Sequence, residues 1–294
     1  MGSKMMTNYL TYLYMLTPLH TGGSSNEGNM MGIAREVHTE FPYLPASSLR
    51  GKIRSELERK HPEEAEIFFG HKIKDGQQPT EGEVWFADAT LLFFPIASLS
   101  HHLVWVTCPL WLSRWNRWLD KAPLQPIIKQ CHQILSGEKS AVVSFQSKEL
   151  YLQTALLKES DLQKIDVAPL AEQIFALTSA GGIISTLTNK LVVLTDEDCI
   201  ALVETGLQRE VRVALEEKSK IVKGGSFRSE EAIPPETVLF FPWGMKLAKD
   251  PDKTTNIRSS TPNTLNERMQ FGGLEGLGRG WADLTTVDLT KEGK

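Results

Sequence analysis

The sequence lacks the features that mark membrane proteins, disulfide frameworks and zinc ribbons. No stretch approaches the roughly 18 uninterrupted apolar residues that a membrane-spanning helix needs, and the start of the chain shows no basic region followed by an apolar run. The three cysteines, Cys108, Cys131 and Cys199, are far apart, form no CxxC pair and give no even disulfide framework. We therefore expect a cytoplasmic protein with no membrane partner and with reduced, mostly buried thiols.

An excess of positive charge is also missing. The net charge is −4, whereas a protein that follows a phosphate backbone usually gains affinity through lysine and arginine. A nucleic-acid partner would therefore have to be recognised by local clusters of charge. Hydrophobic residues, in contrast, make up 41% of the 294 residues, which is enough to bury a full core. We expect a single domain over residues 1–294.

The patterning predicts an α+β fold. Residues 8–17 are rich in aromatic and β-branched types and predict a first strand. Further strands are predicted at 83–87, 102–107, 190–194 and 237–241, and helices at 109–120, 126–136 and 165–178. Residues 18–46 are rich in glycine, serine and proline and predict a long functional loop. Residues 207–215 alternate and, with 221–229, predict a hairpin.

The segment FPYLPASSLRGKIRSELER, which ends this loop, predicts a helix from Ser47, with apolar residues every four positions. Ser47 or Ser48 is expected to cap it. Because free N–H groups at a helix start carry partial positive charge, these serines could hold phosphates together with Arg50, Lys52 and Arg54. A capped amphipathic helix with solvated basic residues explains the same pattern, and both interpretations stay open.

A second segment, FGGLEGLGRGW at 271–281, is dense in glycine. Its glycines, which surround Arg279, are Gly272, Gly273, Gly276, Gly278 and Gly280. Glycine lets a backbone approach a polyanion closely, and arginine adds a planar fork of donors. A dinucleotide-binding fold is excluded because only 14 residues follow Gly280, too few for the rest of a βαβ unit. A purely structural turn remains the alternative.

Weaker signals come from isolated polar and aromatic residues. His20 lies at the edge of the long loop, and a lone histidine is more often hydrogen-bonded or exposed than catalytic. The pair Glu230 and Glu231 could supply a carboxylate, although we prefer a solvated charged face. The aromatic runs at 93–94 and 240–243 could stack bases but are expected in the core. The histidines show no metal-ligand spacing, and we assign no metal to them.

Several segments resemble the RAMP superfamily in order and spacing, and more narrowly the backbone subunit of the type III-B (Cmr-type) CRISPR effector complex. They are LTPLHTGG, IAREVHTEFPYLPASSLRGKIR, FADATLLFFPIAS followed by WVTCP, GGSFRSEEAIPPET and FGGLEGLGRGW. The resemblance covers about residues 8–285. It implies an RNA-recognition-motif-like (ferredoxin-like) palm, helical insertions and a β-hairpin thumb at 208–233, expected to push between bases.

The resemblance also implies partners and binding residues. The implied partners are guide RNA (crRNA), complementary target RNA, further copies of the chain in a filament and other type III CRISPR subunits. In relatives the serine loop and its helix contact the guide backbone, and here Ala46 replaces the usual glycine and Arg50 a lysine. The implied RNA-binding residues are Arg35, Ser47, Ser48, Arg50, Lys52, Arg54, Gly272, Gly273, Gly276, Gly278, Arg279 and Gly280.

Relatives cleave bound target RNA, usually with an aspartate between the first strand and the basic helix and with a divalent metal. Where they commonly read Val-Asp-Leu-Pro, this chain has NMMG at 29–32, and no aspartate occurs between Met1 and Lys74. Methionine offers a hard metal no oxygen and takes no proton. We therefore expect weak or absent cleavage, with Mg²⁺ or another divalent metal as cofactor only if cleavage is retained.

Two alternatives keep a catalytic activity. In one, the chain is an active metal-dependent target-RNA endoribonuclease that uses His20, Glu27 or Glu230; Glu27 is the only carboxylate between His20 and Arg35. In the other, it is a stand-alone, metal-independent RNA-processing enzyme of the same superfamily, in which His20 performs acid–base chemistry.

Overall fold

The predicted first strand lies inside a large mixed sheet, with buried side chains on both of its faces. The computed structural model describes residues 7–23, 26–27, 30–71, 80–153, 155–175, 189–214, 216, 221–222, 227–248 and 250–290. Leu10 and Tyr12 pack in one apolar cluster and Leu13 and Met15 in another. Because successive side chains of a strand point to opposite faces, this alternation means that both sides of the sheet are covered.

The strands are numbered in chain order. They are β1 Thr7–Met15, β2 Asn26–Glu27, β3 Met30–Met31, β4 Val84–Phe86, β5 Thr90–Ser98, β6 His102–Thr107, β7 Ala141–Val143, β8 Glu149–Leu152, β9 Ala155–Lys158, β10 Leu162–Lys164, β11 Leu191–Val193, β12 Gln208–Arg212, β13 Arg228–Ala232, β14 Val238–Met245, β15 Arg268–Gln270 and β16 Trp281–Asp288. The helices within the described residues are α1 Ala46–Lys60, α2 Pro62–Phe69, α3 Pro109–Leu119, α4 Leu124–Leu135, α5 Ala168–Phe175, α6 Asp196–Gly206 and α7 Thr255–Thr264.

The large sheet joins distant parts of the chain. Its order is β10-β7-β11-β6-β5-β14-β1-β16-β15, and β4 also pairs with β14. β1 runs antiparallel to both neighbours, so that Tyr12 lies opposite Phe240 of β14 and Thr285 of β16. A smaller sheet has the order β12-β13-β3-β2, and β8 and β9 form a separate hairpin.

The predicted α+β class is confirmed. All predicted strands and helices are present, β6 with its predicted ends and the others with shifted ends; the predicted helix at 165–178 is described from Ala168 to Phe175, and its last residues lie outside the described part. The aromatic runs at 93–94 and 240–243 are buried, as expected. The ferredoxin-like detail of the palm stays a prediction.

The cysteines are buried and free. For Cys131, burial raises the pKa of the thiol to about 11. A protonated thiol is a poor nucleophile, so this environment agrees with a packing role.

The predicted serine cap of α1 is wrong. The helix begins at Ala46, so the capping residue is Pro45, and no side-chain hydrogen bond caps the helix from that position. Instead, the backbone N–H of Ala46 donates to Oδ1 of Asp88 at 2.6 Å. A carboxylate from the β4–β5 connection therefore satisfies this donor and leaves Ser47 exposed in the first turn.

The predicted hairpin is confirmed in its two arms. β12 and β13 are antiparallel, with Arg209 opposite Glu231 and Glu210 opposite Glu230. Much of the connection between the arms, at 215, 217–220 and 223–226, lies outside the described residues. β3, from the long loop, adds to β13 as a parallel strand. The single-domain assignment and the thumb role of this hairpin stay predictions.

No helix among the described residues is long and apolar enough to cross a membrane. The predicted cytoplasmic location stays a prediction.

Candidate nucleic-acid interface

The segment that follows β1 connects the hairpin to the glycine-rich loop. Leu19 exchanges backbone hydrogen bonds with Ile233, just after β13, at 2.8 and 2.9 Å. The next carbonyl, of His20, accepts from the N–H of Gly273 at 2.9 Å, and the N–H of Gly280 donates to the carbonyl of Pro18 at 2.8 Å. Motifs that are far apart in the sequence therefore meet at one place.

The imidazole of His20 lies inside this junction. The residue is only 4% exposed, and Nδ1 is 2.8 Å from the backbone carbonyl oxygen of Glu231. Because a carbonyl oxygen can only accept, Nδ1 carries a proton in this contact. His20 is thus a hydrogen-bonded residue that ties the loop to β13. A catalytic role for it stays a prediction.

On one side of the hairpin, four side chains form a closed ring of ion pairs. Arg35 contacts Glu204 at 2.6 Å and Glu231 at 2.9 Å. Arg209 contacts Glu231 at 3.1 Å and also pairs with Glu204. The ring joins the long loop, α6 and both arms of the hairpin. Burial lowers the pKa of the Arg209 guanidinium, but its hydrogen bonds to Glu231 and Glu204 raise the pKa above its ordinary value.

A second set of ion pairs lies around Glu230. Nε of Arg212 is 2.9 Å from a carboxylate oxygen of Glu230, although this contact does not have hydrogen-bond geometry. Arg279, from the glycine-rich loop, is 2.6 Å from Glu210 and 3.9 Å from Glu230. Arg212 also approaches Glu210 at 3.5 Å. These contacts hold the glycine-rich loop against the hairpin through charge.

The preferred interpretation of Glu230 and Glu231 as a solvated charged face is therefore wrong. Their side chains are only 6% and 4% exposed. A buried carboxylate is costly unless cations and hydrogen bonds compensate it, and here arginines from several segments supply the compensation. A metal-binding or proton-transfer role for Glu230 is not tested by this geometry and stays a prediction.

The glycines of 271–281 divide into two kinds. Gly272 and Gly280 have φ values of +79° and +81°, and a Cβ there would lie 2.3 Å from the carbonyl oxygen of His20 and 1.8 Å from that of Phe271. Packing alone requires glycine at these two positions. Gly276 and Gly278 are exposed, and a Cβ at either would meet nothing within 4 Å. The middle of the loop therefore presents accessible backbone.

The basic residues of α1 are partly occupied by contacts within the protein. Arg50 donates to the carbonyl oxygens of Val84, at 3.1 Å, and Phe69. Burial, and then the neighbouring Arg54, lower the pKa of Arg50. Lys52 pairs with Glu56 at 3.1 Å. The structure thus gives Arg50 a role in joining α1 to α2 and β4, whereas its predicted contact with RNA remains untested.

Arg54 differs from Arg50 in its hydrogen bonding. Its guanidinium lies 5.9 Å from the ring centroid of Phe69, but two of its nitrogens, Nε and one Nη, are buried and have no hydrogen-bond partner. Buried donors without a partner are costly. Because these two nitrogens are enclosed by the protein, a phosphate could reach them only if the surrounding side chains moved.

The structure brings together several of the predicted site residues. His20, Arg35, Glu230, Arg279 and the glycine-rich loop share the junction, while the α1 residues lie against α2 and β4. The backbone of Glu27 pairs with Met30, and its side chain lies outside the described part.

Sequence reasoning missed the roles of Glu204, Arg209, Glu210, Arg212 and Glu231. The alternation of QREVR opposite RSEEA could have indicated cross-strand pairs, because opposite residues of a hairpin interact.

The described acidic side chains at the junction do not form a metal site. Among the residues that the structure describes, no group of three or more His, Cys, Asp or Glu side chains could hold a metal ion. The donors near the junction, Glu230 and Glu231, already face arginines, which compete with a cation for the same oxygens. The described residues therefore do not form a divalent-metal site in this arrangement.

Comparison with known proteins gives consistent results. The family model of the RAMP superfamily matches residues 12–283. The chain is 28% identical to the CRISPR system Cmr endoribonuclease Cmr4 of Pyrococcus furiosus, over 98% of each chain. It is 22% identical to the CRISPR system CMR subunit Cmr4 of Saccharolobus solfataricus, over 93% of this chain and 94% of that one.

Solved structures show the same fold. A type III-B Cmr-beta structure bound to cognate target RNA contains a chain with a TM-score of 0.73 and 22% identity, which covers 97% of this chain and 98% of that one. The crystal structure of oligomeric Cmr4 from Pyrococcus furiosus gives a TM-score of 0.69 and 23% identity, with 97% and 100% covered. The predicted resemblance to Cmr-type backbone subunits is confirmed.

The ion-pair ring leads to a prediction about stability. Replacing Glu231 by glutamine is expected to lower the free energy of unfolding by about 3 kcal/mol, because it removes a buried charge that two arginines require. Glu204→Gln is the matched control, since Glu204 contacts the same arginines but is 44% exposed, and we expect a decrease of about 1 kcal/mol or less. Urea unfolding measures both. Equal decreases would show that burial does not determine how much each carboxylate contributes to the free energy of unfolding.

The glycine-rich loop leads to a second prediction. Gly280→Ala is expected to destabilise the protein by about 2 kcal/mol or more, because the backbone is left-handed and the Cβ would overlap the Phe271 carbonyl. Gly278→Ala, with φ of +76° but open space, should destabilise it by about 1 kcal/mol, and Gly276→Ala by about 0.5 kcal/mol or less. Thermal unfolding of the three variants would test this order; a Gly280→Ala variant as stable as Gly276→Ala would contradict it.

Proposed function

Because the chain belongs to the RAMP superfamily, we propose that it is a guide-RNA-binding backbone subunit of a type III-B CRISPR ribonucleoprotein that clamps target RNA in antiviral defence. The observation that carries this proposal is similarity to Cmr4 of Pyrococcus furiosus over 98% of both chains. A match of that extent leaves no large part of either protein without a counterpart. Its partners would be guide RNA, complementary target RNA, further copies of itself in a filament and other type III CRISPR subunits.

Local features of the described residues support RNA binding despite the net charge of −4. The positive charge of the half-buried Arg54, the exposed backbone of the turn at Gly276, and the exposed Ser47 in the first turn of α1 are groups that RNA could contact. The hairpin formed by β12 and β13 would act as the thumb. Its arms are held at a defined position by ion pairs on both faces, which suits an element that must act on RNA at a fixed place.

We also propose that target cleavage is impaired in this chain. The aspartate of relatives corresponds to Met30, which lies in β3 opposite Ser229 of β13. Met30 also lines a cavity with Arg35, Arg209 and Glu231, so that a methionine takes the place of a carboxylate near this cluster. Two of the residues that could replace the aspartate, His20 and Glu230, are already in contact with Glu231 and Arg212.

The alternative is an active metal-dependent endoribonuclease. It is favoured by the name of the Pyrococcus furiosus relative, an endoribonuclease that is 28% identical. In that case Glu27 would be the carboxylate to examine, because it belongs to β2, directly before the strand that contains Met30.

Guide binding can be tested on α1. Replacing Lys52 and Arg54 together by alanine is expected to weaken binding of a single-stranded guide and to reduce the slope of log K against log salt by about 0.7 for each phosphate that the variant no longer neutralises. Arg50 is left in place because its bonds to Phe69 and Val84 support the fold. Fluorescence anisotropy at several salt concentrations provides the measurement.

The matched control for this experiment is Arg59→Ala, which removes one exposed charge near the end of the same helix. It should leave the salt slope nearly unchanged. If the double variant keeps the slope of the unmodified protein, Lys52 and Arg54 do not contact phosphates.

Cleavage can be tested with the assembled complex, labelled complementary RNA and Mg²⁺. We expect intact target with the natural chain, and cuts at regular intervals with Met30→Asp but not with Met31→Asp, whose side chain points to the other face of β3. Regular cuts by the natural chain that disappear in Glu27→Ala would show that the alternative is correct and that Glu27 replaces the aspartate.

A further inference from the structure

A cavity of about 440 Å³ lies at the end of α3, apart from the junction around His20. It is lined by Arg117 and Trp118 of α3, by Asp88 and Thr90 at the start of β5, and by Phe240 and Pro242 of β14. Its volume falls in the range of about 300–1,000 Å³ that is usual for small-ligand sites.

Trp118 gives this cavity an aromatic surface. The residue is 40% exposed, whereas Trp111 and Trp115 on the same helix are completely buried. Its ring is held from one side by Trp85, with centroids 6.0 Å apart and an angle of 36° between the planes. A large apolar side chain that is supported by a neighbour and still exposed is a surface on which a flat ligand can stack.

The cavity also contains an arginine, Arg117, that has no ion-pair partner among the described residues. The guanidinium of Arg117 is exposed and donates to the backbone carbonyl of Ser113 at 3.4 Å. Across the described ranges of the chain, no carboxylate lies within 4.0 Å of it, whereas the neighbouring Arg114 is paired with Glu36 at 2.7 Å. Arg117 therefore suits a ligand that brings its own negative charge.

Asp88 connects the cavity to the start of α1. Its carboxylate lines the cavity and accepts the hydrogen bond from the N–H of Ala46, the first residue of the helix. Ser47 and Ser48 follow in the same turn. Because the Asp88 carboxylate already compensates the start of this helix, a phosphate of a nucleotide bound in the cavity would be held by Arg117 and not by the N-terminal turn of α1.

We propose that this cavity binds one unpaired base of a single-stranded RNA, stacked on Trp118, with Arg117 at an adjoining phosphate. The proposal rests on the proposed function for the presence of RNA and adds a base-binding site to it. Stacking is tolerant of sequence because every base has a flat π surface, so such a site accepts a guide of any sequence. A peptide segment without acidic side chains would leave the charge of Arg117 without compensation.

The test compares Trp118→Ala, Trp118→Phe and Arg117→Ala with the natural chain in anisotropy titrations with single-stranded RNA. We expect roughly tenfold weaker binding for Trp118→Ala and binding close to that of the natural chain for Trp118→Phe, because phenylalanine still stacks. Leu99→Ala is the control; Leu99 is exposed at the β5–β6 turn, outside this cavity, and its removal should not change affinity.

An abasic nucleotide moved along the RNA identifies the base itself. At one position it should weaken binding to the natural chain by the same factor as Trp118→Ala, and it should have no further effect on that variant. RNA that contains 4-thiouridine at this position should crosslink to the segment with Trp118, as peptide mass spectrometry would show.

The outcomes separate this proposal from the proposed function. Equal RNA affinity of the natural chain and Trp118→Ala, while Lys52→Ala/Arg54→Ala still weakens binding, would overturn the base-binding site alone. Absence of RNA binding by the natural chain would overturn the proposed function as well. A 4-thiouridine crosslink found only on segments away from Trp118, at every position of the RNA, would also overturn the base-binding site.

Discussion

The burial of two consecutive carboxylates on β13 is the constraint on which the candidate interface depends. Neighbouring residues of a strand face opposite sides, so Glu230 and Glu231 require cations on both faces of the small sheet. Those cations come from different parts of the chain: Arg35 and Arg209 on one face, and Arg212 and Arg279 on the other. Compensation of the two buried charges on this short strand therefore fixes the long loop, the hairpin and the glycine-rich loop relative to one another.

This arrangement changes which groups are available to a polyanion. Arg35 and Arg279 are predicted RNA ligands, but both already face buried carboxylates, and a phosphate would have to compete with these. Arg117 is in the opposite situation, since it is exposed and has no ion-pair partner in the described part of the chain. With a net charge of −4, affinity for RNA would depend on such few uncompensated groups together with backbone N–H groups and stacking.

The sequence predicts those features that depend on neighbours along the chain. Periodicity located β1, α1 and α3, and continuous apolar runs correctly indicated a core at Phe93 and Phe240. Features that depend on contacts between distant segments could not be predicted from the sequence. The N–H of Ala46 is satisfied by Asp88 instead of an adjacent serine, and Glu230 is buried because β3 and the glycine-rich loop approach it from elsewhere. The sequence motifs were therefore enough to identify the candidate site. Its ion pairs could be recognised only from the folded structure.

Electrostatics also bears on the proposal that target cleavage is impaired in this chain. Met30 lies in the strand beside Ser229 and lines a cavity with Glu231 and Glu204. Both of these carboxylates are shared between Arg35 and Arg209, so their charge is largely neutralised before a metal approaches. A hard cation needs several oxygen ligands that are not already paired with cations. A carboxylate added at position 30 would line the same cavity as Arg35 and Arg209, but it would be one more oxygen ligand than these two arginines already share.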